Sequence, residues 1–313
     1  MPPALLQIGA LHHEPQALLD ARYDVRHWPG DAAARPAWLA ANGAGIEGLV
    51  TTGGLGVPPG LVEALPDLRI VAINGVGFDR VDLAAMRARD IRVSNTPDVL
   101  TDDVADLAIA LMLNCFRRLP AAERHVRDGV WPRGEVPLAR RASGLRYGIV
   151  GLGRIGQAIA RRLSGFGGSI AYSSPTRRPH LGHAYHETLV SLAQASDVLF
   201  VAAAASAATA HMIDREVIEA LGPNGVLVNI ARGSVVDEAA LEEALRDGRL
   251  GGAGLDVFAE EPVVPEGLRE LPNVALAPHV GSATHETRAA MGALVVENLD
   301  SFFGGRELLT PVV

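Results

Sequence analysis

The sequence predicts an α/β protein built on two doubly wound parallel sheets. Short apolar segments alternate with helical patterns along the whole chain, which is typical of parallel strands connected by helices. A chain of 313 residues is longer than one ordinary hydrophobic core requires, and this favours two domains. A glycine-rich turn at 151–156 follows one apolar segment and opens a helical pattern, as at the ligand-binding edge of such sheets. We therefore expect two α/β domains with a cleft between them.

Two groups of short segments have the apolar content of buried parallel strands. The first part of the chain supplies four of them, at residues 5–9, 48–51, 69–73 and 91–94. The second part supplies six, at residues 147–151, 169–173, 198–203, 226–230, 253–257 and 274–277.

Two long helical patterns accompany these strands. Residues 101–118 are rich in apolar side chains and begin with Thr101, Asp102 and Asp103, which suit a helix cap and an acidic first turn. Residues 285–303 form the last helical pattern of the chain. A shorter one, at 155–166, follows the glycine-rich turn.

The composition excludes several classes of protein. The formal net charge is −8 and the pI is about 5.7, which argues against a nucleic-acid-binding surface. No apolar run reaches the roughly 18 residues that span a bilayer, and no signal-peptide pattern opens the sequence, so we expect a cytoplasmic protein and no membrane partner. Cys115 is the only cysteine, which rules out an intrachain disulfide and a multi-cysteine zinc site. We expect no metal and an inert, buried Cys115 thiol.

The glycine-rich turn has the spacing of a dinucleotide-binding site. Gly151 allows a tight turn, Gly153 lets the backbone approach a pyrophosphate, and Gly156 lets the following helix pack closely on its strand. A purely structural turn between strand and helix is the alternative. The preceding strand pattern and the following helical pattern favour the dinucleotide.

The end of the next strand, about twenty residues further on, selects between coenzymes. A site for NAD normally carries an aspartate or a glutamate here, but no carboxylate occurs before Glu187. The side chains at this strand end are instead hydroxyls and guanidinium groups: Ser173, Ser174, Thr176, Arg177 and Arg178. They suit a 2′-phosphate and predict NADPH as the preferred coenzyme, with NADH as the alternative. A solvated basic turn is the competing interpretation.

Three side chains near the ends of later strands suit the reduction of a 2-keto acid. Arg232 offers a guanidinium that binds a carboxylate in a fork and polarises the adjacent carbonyl. His279 offers a proton donor for the carbonyl oxygen. A glutamate beside this histidine favours the imidazolium and fixes its tautomer, and two neighbours, Glu260 and Glu261, compete for this role.

Several phrases of the sequence together resemble the D-isomer-specific 2-hydroxyacid dehydrogenases. They lie in the family's order at residues 74–82, 93–106, 146–157, 228–233, 250–262 and 278–284, and so cover nearly the whole chain. Within the family they look most like the hydroxypyruvate/glyoxylate reductases and the plant-type hydroxyphenylpyruvate reductases. A glutamate directly before proline is the family pattern, which selects Glu261 over Glu260.

The resemblance implies a domain division that composition alone does not suggest. The last helix is expected to return to the first domain, giving a substrate-binding domain of residues 1–98 plus 285–313. The dinucleotide-binding domain, of Rossmann type, is expected to comprise residues 99–284. Composition alone would favour two consecutive domains.

The resemblance also implies roles for individual residues. The catalytic set is Arg232, Glu261 and His279. The expected coenzyme contacts beyond the strand-end hydroxyls and arginines are Gly151, Leu152, Gly153, Arg154, Ile155, Gly156, Ile230, Ala231, Arg232, Asp256, His279 and Gly281. The expected substrate contacts are Leu55, Val76, Gly77, Arg232 and His279. Asp256 would contact the nicotinamide carboxamide, with a strand-end cap as its alternative. Pro175 stands where related reductases carry an arginine, which leaves the principal cation for the phosphate unassigned.

The predicted activity is the reduction of small 2-keto acids, such as glyoxylate, hydroxypyruvate and aryl pyruvates, to D-2-hydroxy acids. The alternatives are a D-2-hydroxyacid dehydrogenase of phosphoglycerate-like or lactate-like specificity that uses NAD, and a non-catalytic dinucleotide sensor. A sensor has no use for a proton donor, which favours an enzyme. We further predict a homodimer built on the helix at 101–118 and the segment at 124–137, in which Trp131 either reaches the neighbouring subunit or only packs.

Overall fold

The chain forms two compact units, each built on one parallel sheet. The computed structural model describes residues 2–313. The first unit comprises the residues up to Leu100 together with Ala283–Val313, and the second comprises Thr101–Ser282.

The first unit contains five strands and several short helices before the chain enters the second unit. In chain order these elements are β1 (Ala4–Gln7), α1 (His13–Arg22), β2 (Asp24–His27), α2 (Arg35–Asn42), β3 (Ile46–Thr52), α3 (Leu61–Ala64), β4 (Ile70–Asn74), α4 (Leu83–Ala88) and β5 (Arg92–Ser94).

The second unit repeats the alternation of strand and helix with a larger sheet. Its elements are α5 (Thr101–Arg117), α6 (Leu119–Arg127), β6 (Arg146–Val150), α7 (Arg154–Leu163), β7 (Ser169–Ser173), β8 (Ala184–Tyr185), α8 (Leu189–Gln194), β9 (Val198–Val201), α9 (Arg215–Leu221), β10 (Val226–Asn229), α10 (Glu238–Arg246), β11 (Gly252–Leu255), α11 (Glu266–Glu270) and β12 (Val274–Leu276). Short 3-10 turns lie at Ala32–Ala34 in the first unit and, in the second, at Trp131–Arg133, Ser164–Phe166, Pro179–Leu181, Ala207–Thr209 and Gly233–Val235.

The last helix, α12 (His285–Phe303), packs in the first unit against α1 and β4. The sheet of this unit has the order β2-β1-β3-β4-β5, and all its strand pairs are parallel. One face of the sheet packs on α12 through Val295, Val296 and Leu299, which share a buried cluster with Leu5 and Ile70. Because the inner strands β1, β3 and β4 are covered on both faces, their side chains are almost all buried.

The sheet of the second unit has the order β12-β11-β10-β9-β6-β7-β8, again with parallel pairs throughout. The strand order reverses where β6 lies between β7 and β9. Ligands of doubly wound sheets bind beyond the carboxyl ends of the strands at such a reversal. The glycine-rich turn directly follows β6 and therefore occupies this position.

The predicted fold class is confirmed, and two strands were missed for an identifiable reason. The strand β2 has no buried residue, and β8 is only two residues long, so neither carries the apolar run on which the predictions relied. Both lie at the outer edge of their sheet. The predicted bounds of the other strands differ by one or two residues, as expected at frayed ends, whereas 169–173 and 285–303 coincide with β7 and α12.

The helix α5 is buried mainly within its own unit. Its apolar residues pack against α7 and against β10, β11 and β12. The exposed apolar surface instead follows α5: Trp131 is 64% exposed, Leu138 is 98% exposed, and α6 has no buried residue. Cys115 is half-buried rather than fully buried, but burial raises the pKa of its thiol to about 12.

The described residues contain neither a membrane-spanning helix nor a metal-binding cluster. Across residues 2–313, none of the helices has both the length and the hydropathy needed to cross a bilayer. The same residues contain no group of three or more His, Cys, Asp or Glu side chains arranged to hold a metal ion.

Candidate active site

The glycine-rich turn leaves space at one glycine and none at the other two. A Cβ atom on Gly156 would stand 2.1 Å from the carbonyl oxygen of Gly151, and one on Gly151 would stand 2.8 Å from the backbone of Ala203. Gly151 also has a φ of 89°, a left-handed conformation that favours glycine. In contrast, a Cβ on Gly153 would meet nothing within 4 Å. The turn is therefore tightly packed at Gly151 and Gly156 and open at Gly153.

Backbone amides at this turn are available to an anion. The Gly151 amide donates to Ser173 O over 2.8 Å, but among residues 2–313 the amides of Leu152 and Gly153 have no acceptor. Gly153 is the N-cap of α7 and provides no side-chain cap. The first amides of a helix have no intrahelical partners and carry partial positive charge, so this end of α7 suits a phosphate group.

The residues after β7 form a polar turn supported by two tyrosines. Ser174 Oγ donates to Thr176 O over 2.7 Å, and the Arg178 amide donates to the hydroxyl of Tyr172 over 2.5 Å. The guanidinium of Arg177 lies 5.6 Å from the ring centroid of Tyr185 on β8. This turn brings Ser174, Thr176 and both arginines to the same strand end, while the Ser173 side chain is buried.

Arg232 lies in a turn that Asn229 holds in place. Asn229 is buried at the end of β10, where its Oδ1 accepts from the Ala231 amide and its Nδ2 donates to Arg232 O, both over 3.0 Å. The turn packs tightly on the neighbouring loop, because a Cβ on Gly233 would stand 1.9 Å from the carbonyl carbon of Phe258. Asn229 thus orients the backbone at Ile230, Ala231 and Arg232, a positioning role that the sequence analysis missed.

Glu261 and His279 form a direct hydrogen-bonded pair. Glu261 Oε2 lies 2.7 Å from His279 Nδ1, and Glu261 Oε1 accepts from the Phe258 amide over 3.0 Å. The side chains remain partly accessible, with exposed fractions of 37% for His279 and 25% for Glu261. His279 has a φ of 54°, in the left-handed region that few residues other than glycine adopt and that is found at functional sites.

The electrostatics of this pair favour an ionised glutamate. Burial acts to raise the pKa of Glu261, but the hydrogen bonds from His279 and from the Phe258 amide, with the charges of His279 and Arg232, outweigh burial and lower that pKa below its ordinary value. Glu261 therefore holds negative charge against the imidazole. Because Glu261 occupies Nδ1, the Nε2 atom of His279 is the nitrogen left for a substrate.

Asp256 holds the loop that carries His279. It is buried at the end of β11, and its two carboxylate oxygens accept from the amides of Val280 and Gly281 over 2.7 and 2.9 Å. The His279 amide also donates to Asp256 O over 2.8 Å. Burial raises the pKa of Asp256 above its usual value, against the effect of the two amides. This geometry favours the capping alternative for Asp256, and its contact with a nicotinamide stays a prediction.

The candidate substrate residues of the first unit lie at the carboxyl edge of its sheet. Val76 and Gly77 follow β4, and within the described residues neither amide donates a hydrogen bond. Asn95 Nδ2 donates to Val76 O over 2.9 Å and so fixes the turn. Leu55 follows β3 and is 53% exposed. Two open amides in a fixed turn suit a carboxylate.

The sequence profile of the D-isomer-specific 2-hydroxyacid dehydrogenase NAD-binding domain matches residues 109–281. The chain belongs to this family. The match covers the glycine-rich turn, Arg232, Glu261 and His279.

Proteins with named activities extend the similarity over most of the chain. The hydroxyphenylpyruvate reductase of Plectranthus scutellarioides is 50% identical over 296 residues, which cover 94% of each chain. A glyoxylate/hydroxypyruvate reductase of Arabidopsis thaliana is 52% identical over 268 residues, which cover 86% of each chain. Among solved structures, the NADPH-dependent glyoxylate/hydroxypyruvate reductase of Sinorhizobium meliloti in complex with NADP and malonate has a TM-score of 0.94 and 47% identity. The match covers 100% of this chain and 97% of that one.

Proposed function

We propose that this protein reduces small 2-keto acids, with glyoxylate and hydroxypyruvate as favoured substrates and aryl pyruvates next, to D-2-hydroxy acids. The observation that carries the proposal is the hydrogen bond between Glu261 Oε2 and His279 Nδ1. This pair places a carboxylate against the imidazole of the proposed proton donor. The positive charge of Arg232 also acts on the Glu261 carboxylate and helps to lower its pKa. The names of the relatives in Plectranthus, Arabidopsis and Sinorhizobium support the same class of substrate.

In the proposed mechanism, Arg232 binds the substrate carboxylate in a bidentate pair and polarises the adjacent carbonyl. His279, as the imidazolium, donates the proton on Nε2 to the carbonyl oxygen as the hydroxyl forms. Glu261 stabilises the imidazolium through Nδ1. The amides of Val76 and Gly77 are proposed as further donors to the carboxylate, and Leu55 as an apolar wall.

The residues of the second unit fit a nicotinamide dinucleotide. The amides at Leu152–Ile155 would hold the pyrophosphate, because Gly153 leaves room for its approach and α7 presents its amino end. The remainder of the site would be lined by Ile230, by Ala231 and by the loop at His279 and Gly281, which Asp256 positions. A reduced coenzyme bound there supplies the hydride for the carbonyl carbon.

We further propose that NADPH is preferred to NADH. No carboxylate follows β7 before Glu187, and Ser174, Thr176, Arg177 and Arg178 offer donors to a 2′-phosphate. A charge-assisted hydrogen bond is worth about 1.5–3 kcal/mol, so one arginine contact predicts a preference of about ten- to hundredfold. We expect the lower end of this range, because Pro175 stands where the family resemblance implies an arginine.

The ratio of kcat/KM for NADPH to that for NADH tests the coenzyme preference. We expect Ser173→Asp combined with Arg177→Ala to move this ratio towards NADH, since an acid repels the 2′-phosphate. Arg269→Ala, which removes an exposed arginine on α11 of the same unit, should leave the ratio unchanged. A wild-type ratio that favours NADH would refute the preference and leave the proposed catalytic set intact.

The activity itself is tested by following the absorbance of NADPH with glyoxylate and with hydroxypyruvate. We expect both to be reduced and the product to be the D-hydroxy acid. Binding of coenzyme without turnover of any 2-keto acid would favour a dinucleotide sensor instead.

We also propose a homodimer in a cytoplasmic location. The exposed apolar residues at 119–138, among them Trp131 and Leu138, support an interface there rather than on α5, whose apolar face is already buried. Light scattering at micromolar concentration should give the mass of a dimer, and Trp131→Ser combined with Leu138→Ser should weaken it. A monomeric wild-type protein would contradict this proposal.

A further inference from the structure

Among the described residues of the first unit, Arg288 is a half-buried cation without a partner. It lies near the amino end of α12, and within its unit no described side chain or carbonyl pairs with its guanidinium. Burial alone lowers the pKa of Arg288 below its ordinary value. Glu14 and Glu286, acidic residues of the adjoining helix ends, are exposed and form no ion pair with it. A guanidinium withdrawn from water without an opposing charge is costly, so this position suits an anion.

Three histidines lie in the same part of the unit. The rings of His12 and His285 have centroids 6.0 Å apart, and those of His12 and His13 have centroids 4.1 Å apart. The Nδ1 atom of His12 is buried and has no hydrogen-bond partner within the described residues. His285 is one helical turn before Arg288, which places both on the same side of α12. The guanidinium of Arg288 and the Nδ1 atom of His12, both unpaired among the described residues, are therefore grouped here.

This group lies at the same sheet edge as the open amides of Val76 and Gly77. The helix α12 runs parallel to α1, since its later residue Asp300 bonds with Arg22 and Tyr23 while Gly292 packs on Pro15. Its amino end therefore lies at the start of α1, beyond the carboxyl end of β1.

A continuous series of contacts joins the Val76 and Gly77 amides to the group at the amino end of α12. A Cβ on Gly75 would stand 3.2 Å from the Gly53 amide, and one on Gly9 would stand 3.4 Å from Leu55 Cδ1. The turns after β4, β3 and β1 thus follow one another, with Leu55 in the middle. Neighbouring strands are about 4.8 Å apart, so the cradle after β4 and the histidines after β1 are separated by roughly 10 Å.

We propose that Arg288, with His12 and His285, forms a second anion subsite for the far end of a 2-keto acid that carries another anionic group. The inference rests on the proposed function, because it takes the Val76 and Gly77 amides as the cradle for the first carboxylate. A hydrogen bond of about 2.9 Å at each end leaves about 4 Å between the two anionic groups. This distance separates the accepting oxygens, and a bent chain of three or four carbon–carbon bonds of about 1.5 Å spans it. The favoured ligands are dicarboxylic 2-keto acids of moderate length.

The test compares two keto acids of equal chain length, 2-oxoglutarate and 2-oxopentanoate, which differ in the terminal carboxylate. We expect wild-type kcat/KM to favour 2-oxoglutarate by about ten- to hundredfold, the range of one charge-assisted contact. Arg288→Met should reduce this ratio about tenfold or more, mainly through KM for the dicarboxylate, and Arg288→Lys should retain most of it. Arg87→Met removes an exposed arginine of the same unit and should not change the ratio.

The outcomes separate the inference from the proposed function. A wild-type enzyme that reduces glyoxylate but shows no preference for 2-oxoglutarate overturns the subsite alone, whether or not the variants fold. An Arg288→Met ratio equal to that of the wild type also overturns it. Failure of the wild type to reduce glyoxylate, hydroxypyruvate or either probe with any coenzyme overturns the proposed function instead.

Discussion

Replacing Glu261 by glutamine tests whether the carboxylate holds His279 in its charged form. The Glu261→Gln variant would keep the size of the side chain but not its charge. The new amide would also face two donors, the Phe258 amide and protonated Nδ1 of His279, with only one carbonyl oxygen. The imidazolium therefore loses an acceptor and an opposing charge. Ketone reduction requires the protonated histidine, so activity in the variant should fade at a lower pH than in the wild type.

The size of this shift follows from the geometry of the pair. Opposite charges 2.7 Å apart interact with about 6 kcal/mol at an effective dielectric constant of about 20, which is an upper bound. His279 is 37% exposed, so solvent screening reduces this value towards the range of about 1.5–3 kcal/mol for one charge-assisted hydrogen bond. At about 1.36 kcal/mol per pH unit, the midpoint for reduction should fall by about one to two units.

The assay is the pH dependence of kcat/KM for glyoxylate reduction, with coenzyme binding measured in parallel as a control for folding. Oxidation of the hydroxy acid needs neutral His279, so its midpoint should fall by the same amount. Glu260→Gln is the matched control, because Glu260 is exposed and directly precedes Glu261. The reasoning is refuted if Glu261→Gln leaves both profiles unchanged, or if Glu260→Gln shifts them equally.

Two further predictions concern the glycine-rich turn and acid stability. Gly156→Ala should lower the free energy of unfolding by about 1–3 kcal/mol, because the new Cβ meets the Gly151 carbonyl. Gly153→Ala should instead leave Tm unchanged and weaken coenzyme binding. Thermal melts and coenzyme titrations distinguish the two variants, and equal effects would contradict the prediction. Asp197→Asn should cost about 1 kcal/mol at neutral pH, since the hydrogen bond from Arg146 lowers the pKa of Asp197. This stabilisation is present above the ordinary carboxyl pKa and is lost as the pH falls through the lowered pKa of Asp197. The denaturation curves of wild type and variant should therefore converge in acid. A difference that stays constant with pH would contradict the prediction.

Much of the fold could be predicted because parallel strands that are covered on both faces consist of consecutive apolar residues in the sequence. The strands β4, β9 and β10 have this pattern, and the glycine spacing at 151–156 marks the turn after β6. The edge strands β2 and β8 could not be predicted in this way. Their stability comes from hydrogen bonds to β1 and β7, which leave no trace in local hydrophobicity.

The site was predictable only in part, for a similar reason. Arg232, Glu261 and His279 occur in recognisable phrases, and the structure places Glu261 and His279 in contact. The supporting residue Asn229 was missed, because its role depends on which amides its buried side chain faces. The environment of Arg288 is equally invisible in the sequence, since it depends on the side chains that surround this residue in three dimensions.

Turnover of glyoxylate by His279→Ala tests the central claim, that this histidine donates the proton to a 2-keto acid. General-acid catalysis contributes about a hundred- to ten-thousandfold, so the variant should lose that much of kcat for NADPH-dependent reduction. Its dissociation constant for NADPH, measured by fluorescence titration, should stay close to that of the wild type. A variant that binds coenzyme normally and retains nearly all of the wild-type turnover would contradict the account.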